Sequence, residues 1–374
     1  MSGFPKPTGE YNVGTFTFTI YNDRPETLPL KDPGMRSIPV RVYYPASSVE
    51  GLSKTEALSR TVCKGLGKFM IPVSYEKITN DGQNVSECYT EAARFTDRRF
   101  PLIIYSHGYG LAYRESNSLL LIDLASHGYV VMSVGHPYEG CASELDDGTE
   151  YFLPKKLTNM IFSPYIPASI ATIKLCKMKG SIVEQSEQCE SFVRNYGKFA
   201  MDRVAEWEKD TLSALSYAKE NLSDMIDFSY GVGSTGHSFG GATSYALCHD
   251  SSEFVCGIDI DGILCCDNEG KVMKKPFMMI SCDDNKGVVS RGLIKHTERA
   301  YQVLFKDMKH VGFSDMKFFI TSRFMTGALS AELMHENLCR AHLIFFDTYL
   351  KKSRQTFDLE DNDTVKVSTF EPDI

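Results

Sequence analysis

Short apolar runs and longer stretches with helical spacing alternate along this chain. Short continuous apolar runs are typical of strands that are buried on both faces of a parallel sheet. Such runs occupy residues 101–106 and 129–134, and three further segments also indicate buried strands, at residues 230–235, 257–260 and 276–281. Helical patterns stand between or after them, at residues 118–126, about 199–222, 242–248 and about 338–350. The alternation predicts an α/β fold with a mostly parallel central sheet and helices on both faces.

Two further segments alternate apolar and polar residues with the period of a half-buried strand. They are residues 15–20 and residues 40–44, the second of which ends before Pro45. We expect them to be antiparallel strands that flank the parallel sheet. From Phe357 onward the sequence is polar and acidic, which predicts a loose tail.

Two stretches fit none of the predicted core elements, residues 49–98 and residues 139–196. We interpret both as insertions into a single domain that spans residues 1–374. Within the second insertion, residues 160–167 are apolar but contain two prolines, and the segment is too short to cross a membrane. It is interpreted either as an ordinary packed excursion or as a lid or wall of an apolar acyl pocket.

The net charge of the chain limits the classes of molecule that it is expected to bind. The 374 residues carry a formal net charge of −8, and no basic stripe is present that could neutralise phosphates. This argues against nucleic-acid binding. The same charge gives no reason to expect strong electrostatic attraction to anionic membranes.

The cysteines and the N-terminus bear on the cellular compartment. The eleven cysteines are irregularly spaced and form no C-x-x-C pair, and Cys265 and Cys266 are adjacent, so neither a disulfide framework nor a zinc site is predicted. The first residues lack the charged and apolar regions of a secretory signal. A reducing, cytoplasmic location is therefore expected.

The strongest local signal is the sequence G-H-S-F-G at residues 236–240, with Gly241 directly behind it. It matches the G-x-S-x-G nucleophile elbow, a tight strand-to-helix turn that exposes one serine above a sheet. The glycines have a steric reason, because side chains beside Ser238 would collide with the strand or the following helix. Since the pentapeptide alone occurs by chance in many chains, its interpretation depends on the rest of a hydrolytic site.

A nucleophilic serine requires a base, an orienting acid and donors for an oxyanion. In this fold the chain order is serine, acid, histidine. His310 follows a short strand-like run and is expected in a loop, which makes it the candidate base. The other downstream histidines fit less well, since they are predicted to lie in helices or too close to the elbow: His249, His296, His335 and His342.

Four aspartates lie at the carboxyl ends of the two strands predicted after the elbow, where α/β sheets place their chemistry. Asp259 lies within a strand and is expected to be structural. Asp261 precedes Gly262, which indicates a carboxylate on a turn. Asp284, next to Asp283, follows the penultimate strand, where many hydrolases of this fold carry their catalytic acid. From the residues alone, Asp261 and Asp284 remain alternatives.

Residues 236–243, G-H-S-F-G-G-A-T, closely resemble the nucleophile motif of the platelet-activating factor acetylhydrolase family, which includes plasma and type II intracellular enzymes. The resemblance extends over most of the chain and implies an α/β-hydrolase fold. The other matching segments are residues 7–9 with 13–14, 42–45, 105–108, 122–128 and 345–350.

The resemblance also implies roles for individual residues. The position of the family's acid corresponds to Asp261, and the family's H-x-x-F-x-D segment corresponds to residues 310–315, which implies His310 as the base. The oxyanion donors of such enzymes would be the backbone N–H groups of Phe239 and Tyr109. The family often has a smaller aliphatic residue in place of Tyr109, so the shape of the pocket is expected to differ.

The resemblance implies hydrolysis of short or oxidised acyl esters at the sn-2 position of glycerophospholipids, through an acyl-enzyme on Ser238. No metal ion or organic cofactor is expected. The partner would be a small-molecule or lipid ester, with transient contact to a membrane surface. Two alternatives remain, a general short-chain carboxylesterase acting on soluble esters and a non-catalytic ligand-binding protein on a hydrolase fold.

Overall fold

One mixed sheet organises the chain in the computed structural model, which describes residues 4–71, 73–158, 175, 178–267 and 270–374. The strands of these residues are β1 (Asn12–Pro25), β2 (Met35–Ser48), β3 (Tyr89–Thr90), β4 (Ala93–Arg94), β5 (Leu102–Ser106), β6 (Val130–Val134), β7 (Ser143–Glu144), β8 (Glu150–Tyr151), β9 (Val232–His237), β10 (Phe254–Ile260), β11 (Phe277–Cys282), β12 (Ala300–Phe305) and β13 (Val365–Phe370). Within the described ranges, eleven strands form the main sheet, and β7 and β8 form a separate antiparallel pair.

The α-helices of the same residues are α1 (Arg60–Lys68), α2 (Tyr75–Asn80), α3 (Ser118–Ser126), α4 (Lys155–Thr158), α5 (Ile182–Tyr196), α6 (Lys198–Asn221), α7 (Phe239–Asp250), α8 (Arg323–Thr326) and α9 (Ala331–Tyr349). Among these helices, none combines the length and the apolar character that crossing a bilayer requires.

The strand order is β13-β12-β11-β10-β9-β5-β6-β2-β1-β3, with β4 on β2. The six strands from β12 to β6 are mutually parallel, and β2 and β13 run antiparallel to them at the two flanks. The predicted parallel sheet is therefore confirmed, and all five segments predicted as buried strands fall on its central strands. Their carboxyl ends form one edge of the sheet, where loops can collect side chains from distant parts of the sequence.

Two apolar cores, one on each face of the sheet, explain why the apolar runs at residues 101–106 and 129–134 are uninterrupted. Leu102 and Ile104 of β5 face the core that contains Trp207 of α6. The alternate residue Ile103 faces the other core, which contains Phe345 of α9. Because successive side chains of a strand point to opposite faces, every position of β5 is buried. Helices on both faces were predicted, and this prediction is confirmed.

The flanks of the sheet show one confirmed prediction and one error. Residues 15–20 and 40–44 lie in β1 and β2, which pair antiparallel with Phe16 opposite Val42. The tail from Phe357 onward is not loose, because β13 pairs antiparallel with β12 from Val365 opposite Phe305. Residues 365–368 alternate apolar and polar side chains, and this short pattern stands within an acidic segment that conceals it. The apolar segment 160–167 lies outside the described residues.

Candidate active site

Ser238 stands at a sharp turn between β9 and α7, in a backbone conformation with φ 59° and ψ −115°. Positive φ is uncommon for a residue other than glycine and marks local strain. The neighbouring glycines are required by close packing. A Cβ atom on Gly236 would lie 2.2 Å from the carbonyl of Gly240, and one on Gly240 would lie 2.0 Å from the Ser106 oxygen. The turn therefore has the geometry of a nucleophile elbow.

The structure brings together Ser238, His310 and Asp261, which are far apart in sequence. His310 Nε2 lies 2.9 Å from Ser238 Oγ, and His310 Nδ1 lies 2.7 Å from Asp261 Oδ2. Asp261 follows β10 and is fully buried, whereas His310 begins a 3-10 helix after β12 and keeps 41% of its side chain exposed. The His310 imidazole thus links the Ser238 hydroxyl, which is accessible from solvent, to the Asp261 carboxylate, which is not.

Two side chains that sequence reasoning missed hold this arrangement. Asn285 donates a 2.7 Å hydrogen bond from Nδ2 to Asp261 Oδ2, and the N–H of Cys282 donates to Asp261 Oδ1 at 2.8 Å. His237 lies against the His310 ring and its Nε2 is 3.1 Å from the His310 carbonyl oxygen. Burial and the nearby His310 lower the pKa of His237 to about 3, so its ring is neutral and can donate that bond.

The competing acids lie elsewhere. Asp284 is 52% exposed and pairs with Lys309 at 2.5 Å. Asp283 accepts the N–H of Asp307. Asp259 is buried, accepts the N–H of Gly262 at 2.8 Å, and has its pKa raised by burial, as expected for a structural group. Of the four candidates, only Asp261 contacts His310 among the described residues.

The remaining histidines do not reach Ser238 in the described structure. His335 and His342 lie in α9, as predicted, and His249 lies at the end of α7 beside Asp250. His296 is not helical, contrary to expectation. Its N–H donates to Asp373 and its segment bridges to Met273, because the chain there runs extended beside the C-terminus.

The two predicted oxyanion donors belong to different segments, since Phe239 directly follows Ser238 and Tyr109 lies in the loop after β5. Phe239 opens α7, whose first N–H groups have no acceptor within the helix. Tyr109 follows Gly108, on which a Cβ atom would lie 3.2 Å from Ser238 Cβ. Within the described part of the chain, neither N–H donates a hydrogen bond, so both are available to a ligand. The rings of Tyr109, Phe239 and Trp207 contact one another and form an aromatic wall.

A buried ionic network that the sequence did not reveal lies behind the Tyr109 loop. The carboxylate of Glu139 accepts two hydrogen bonds from Arg203, at 2.7 Å each, and one from Trp207. Burial alone would raise the pKa of Glu139, but Arg203 and Arg36 more than offset burial and lower it. The Glu139 carbonyl in turn accepts the N–H of Gly110, which ties the loop to this rigid network.

The segment that carries His310 is tied to α3 by Asp315. This carboxyl is buried and accepts the Ser118 hydroxyl at 2.8 Å and the Leu119 N–H at 3.1 Å. Burial raises the pKa of Asp315 to about 7, although both hydrogen bonds oppose the shift. The last residue of the H-x-x-F-x-D segment is therefore an anchor rather than a reacting group.

Replacing Asp315 by asparagine is expected to change how stability depends on pH. An unfolded aspartate titrates near pH 4. Because the folded pKa is higher, the native state retains a proton that the unfolded chain loses. The stabilising contribution is complete below about pH 4 and is lost as pH rises towards 7. From pH 4.5 to 6.5, we expect the unfolding free energy of wild type relative to D315N to fall by about 1 kcal/mol per pH unit. Urea unfolding of both proteins measures this difference, and parallel curves would contradict it.

Among the described residues, no group of three or more His, Cys, Asp or Glu side chains has the geometry of a metal site. The candidate site presents a half-buried serine hydroxyl, a histidine, a buried carboxylate and two N–H groups without a partner in the described part of the chain.

Comparisons with known proteins agree with this picture. A family model described as platelet-activating factor acetylhydrolase, isoform II, matches residues 1–363. The platelet-activating factor acetylhydrolase of Cavia porcellus is 26% identical over 92% of this chain and 78% of its own length. That of Canis lupus familiaris is 27% identical over 70% of this chain, and the match spans 55% of the dog protein.

A solved structure, a ferulic acid esterase from Streptomyces cinnamoneus, superimposes with a TM-score of 0.71. It covers 98% of both chains at 16% sequence identity. A likeness at this identity concerns the fold alone, and the fold is that of the α/β-hydrolases, as predicted.

Proposed function

The chain belongs to the family of platelet-activating factor acetylhydrolase, isoform II, and we propose that it is a serine ester hydrolase. Ser238 would be the nucleophile, His310 the base and Asp261 the orienting acid. The observation that carries the proposal is the continuous path from Ser238 Oγ to His310 Nε2 at 2.9 Å and from His310 Nδ1 to Asp261 at 2.7 Å. Both distances lie within the range that proton transfer and tautomer control require.

The proposed reaction has two halves. His310 Nε2 accepts the Ser238 proton as Oγ attacks the ester carbonyl, and the Phe239 and Tyr109 N–H groups bind the resulting oxyanion. His310 then gives its proton to the departing alcohol oxygen, and the acyl group remains on Ser238. A water that loses a proton to His310 attacks the acyl-enzyme carbonyl. As the bond to Ser238 Oγ breaks, His310 returns that proton to Oγ, which releases the acid and restores the serine. Asp261 keeps the proton on Nδ1, so that Nε2 faces Ser238 as an acceptor.

We further propose that the substrates are glycerophospholipids with a short or oxidised acyl chain at the sn-2 position. Family membership supports this class. The aromatic wall of Tyr109, Phe239 and Trp207 supports an apolar acyl group beside Ser238. The same wall favours a second candidate, a general short-chain carboxylesterase, because flat aromatic rings accept many apolar esters and the bulky Tyr109 departs from the family pattern.

An acyl-chain series with and without a phosphocholine head group separates these candidates. We expect kcat/KM for an sn-2 acetyl phosphatidylcholine analogue to exceed that for the sn-2 palmitoyl compound by at least about 100-fold, because a restricted acyl pocket excludes added methylenes. It should also exceed that for p-nitrophenyl acetate. Equal or better hydrolysis of p-nitrophenyl acetate would favour the general esterase. Folded protein that resists a fluorophosphonate probe would favour the non-catalytic binding protein.

A further inference from the structure

His107 is fully buried directly before Gly108 and Tyr109, and its two ring nitrogens have different partners. Nε2 lies 3.1 Å from the backbone nitrogen of His136, and Nδ1 lies 2.7 Å from the Gly108 carbonyl oxygen. A backbone N–H can only donate, so Nε2 is the acceptor and Nδ1 carries the proton. Burial and the nearby His136 lower the pKa of His107 to about 3, which keeps the ring in this neutral form.

The bond to Gly108 fixes the direction of the next N–H. Every peptide bond in the described chain is trans, so the Gly108 carbonyl and the Tyr109 N–H point in opposite directions. With the carbonyl held by the His107 ring, the Tyr109 N–H faces away from that ring. Gly108 itself lies against Ser238. A flipped peptide would instead turn the carbonyl oxygen to the other side and replace a donor by a group that repels an oxyanion.

We propose that His107 is a positioning residue, which locks the Gly108–Tyr109 peptide so that the Tyr109 N–H is presented to the oxyanion. The inference rests on the proposed ester hydrolysis and deepens it, because it assigns a function to a side chain that does not touch the substrate.

The partners of His107 are rigid enough to hold it. The His136 ring stacks on Trp207 with centroids 3.7 Å apart, and its Nδ1 lies 2.8 Å from the buried carboxylate of Asp210. Asp210 also accepts two hydrogen bonds from Arg36, at 2.8 and 2.7 Å. Because these contacts hold His136 in place, its backbone N–H stays directed at His107 Nε2. This selects the His107 tautomer that is protonated on Nδ1 and donates to the Gly108 carbonyl.

Two substitutions of His107 test its hydrogen bonds to His136 and to Gly108 separately. Glutamine can place an acceptor near the former Nε2, so His107→Gln keeps the link to His136 and loses the donor to Gly108. Asparagine can place its amide N–H near the former Nδ1, so His107→Asn keeps that donor. For p-nitrophenyl acetate we expect His107→Gln to lower kcat about 30-fold with little change in KM, a fraction of the loss of a whole oxyanion donor. His107→Asn should lose no more than about 3-fold, because the hydrogen bond to the carbonyl survives.

A transition-state analogue and a matched histidine distinguish positioning from general damage. Binding of a trifluoromethyl ketone should weaken in His107→Gln by about the same factor as kcat falls, whereas KM changes little. His342 is an equally buried control, with Nδ1 2.8 Å from the Leu338 carbonyl and Nε2 3.1 Å from the Thr235 hydroxyl. His342→Gln should lower the melting temperature and leave kcat unchanged.

Equal kcat values for His107→Gln and His107→Asn, with wild type active, would overturn the inference while leaving the proposed function intact. An inactive wild type would defeat the proposed function itself. If the variants do not fold, a crystal structure of wild type with the ketone bound decides. The inference expects the Tyr109 nitrogen within hydrogen-bond distance of the oxyanion and the Gly108 carbonyl still on His107. Loss of either contact would overturn it.

Discussion

Replacing Ser238 by alanine is expected to lower kcat for p-nitrophenyl acetate by at least about 10⁴-fold, and towards 10⁶-fold, as loss of the nucleophile does in triad hydrolases. The reason is that alanine lacks the hydroxyl that attacks the ester in the proposed mechanism, so that no acyl-enzyme can form. The free N–H groups of Phe239 and Tyr109 remain, so a small residual rate over water is also expected. Steady-state turnover and labelling by a fluorophosphonate probe measure the effect.

Alanine is the suitable replacement because it keeps the Cβ atom in a turn that already has φ 59°. Glycine would relieve strain and change two properties at once. Ser234→Ala is the matched control, since Ser234 lies on β9, the strand that leads into the turn, is buried, and bonds to Ser244 Oγ at 2.7 Å rather than to the site. A Ser238→Ala protein that keeps even a tenth of wild-type turnover would contradict the proposed nucleophile.

Much of the fold was predictable because its strands are buried on both faces. Residues 101–106 form β5, whose alternate side chains enter two different cores, so the whole run must be apolar. The elbow was predictable for a local reason, since a Cβ atom on Gly236 would collide with Gly240 and Gly241 of the same motif. Both patterns depend only on residues close together in the sequence, so they can be recognised without knowledge of distant contacts.

The identity of the acid could not be read from the residues alone. Asp261 and Asp284 both follow buried strands, and the choice depends on which one meets the His310 loop across the edge of the sheet. That contact joins residues 49 positions apart, and where spacing left two candidates it was the resemblance to a family that pointed to Asp261. The competing Asp284 is instead drawn to Lys309 at the surface.

Other features could not be predicted because no local pattern marks the residues that form them. Arg36 and Asp210 form a buried pair across 174 positions, and neither residue stands in a local pattern that reveals the other. Asn285 supports Asp261 from a polar loop that looks like ordinary surface sequence. The alternation in β13 is short and acidic residues surround it, so its pairing with β12 emerged only from the structure.

The substitution Asp261→Asn is expected to lower kcat about 10⁴-fold with the fold retained, because the site then holds the wrong histidine tautomer. An asparagine amide facing His310 Nδ1 can donate a hydrogen bond there, which leaves the imidazole proton on Nε2. Protonated Nε2 cannot accept the Ser238 proton.

The matched variant is Asp284→Asn, which removes only an exposed ion pair with Lys309 and should keep kcat within about 2-fold, since such surface pairs contribute little. Both are compared by kcat/KM on p-nitrophenyl acetate and by the rate of fluorophosphonate labelling, which reports Ser238 directly. The outcome that excludes Asp261 as the orienting acid is loss of turnover in Asp284→Asn together with near-normal turnover in Asp261→Asn.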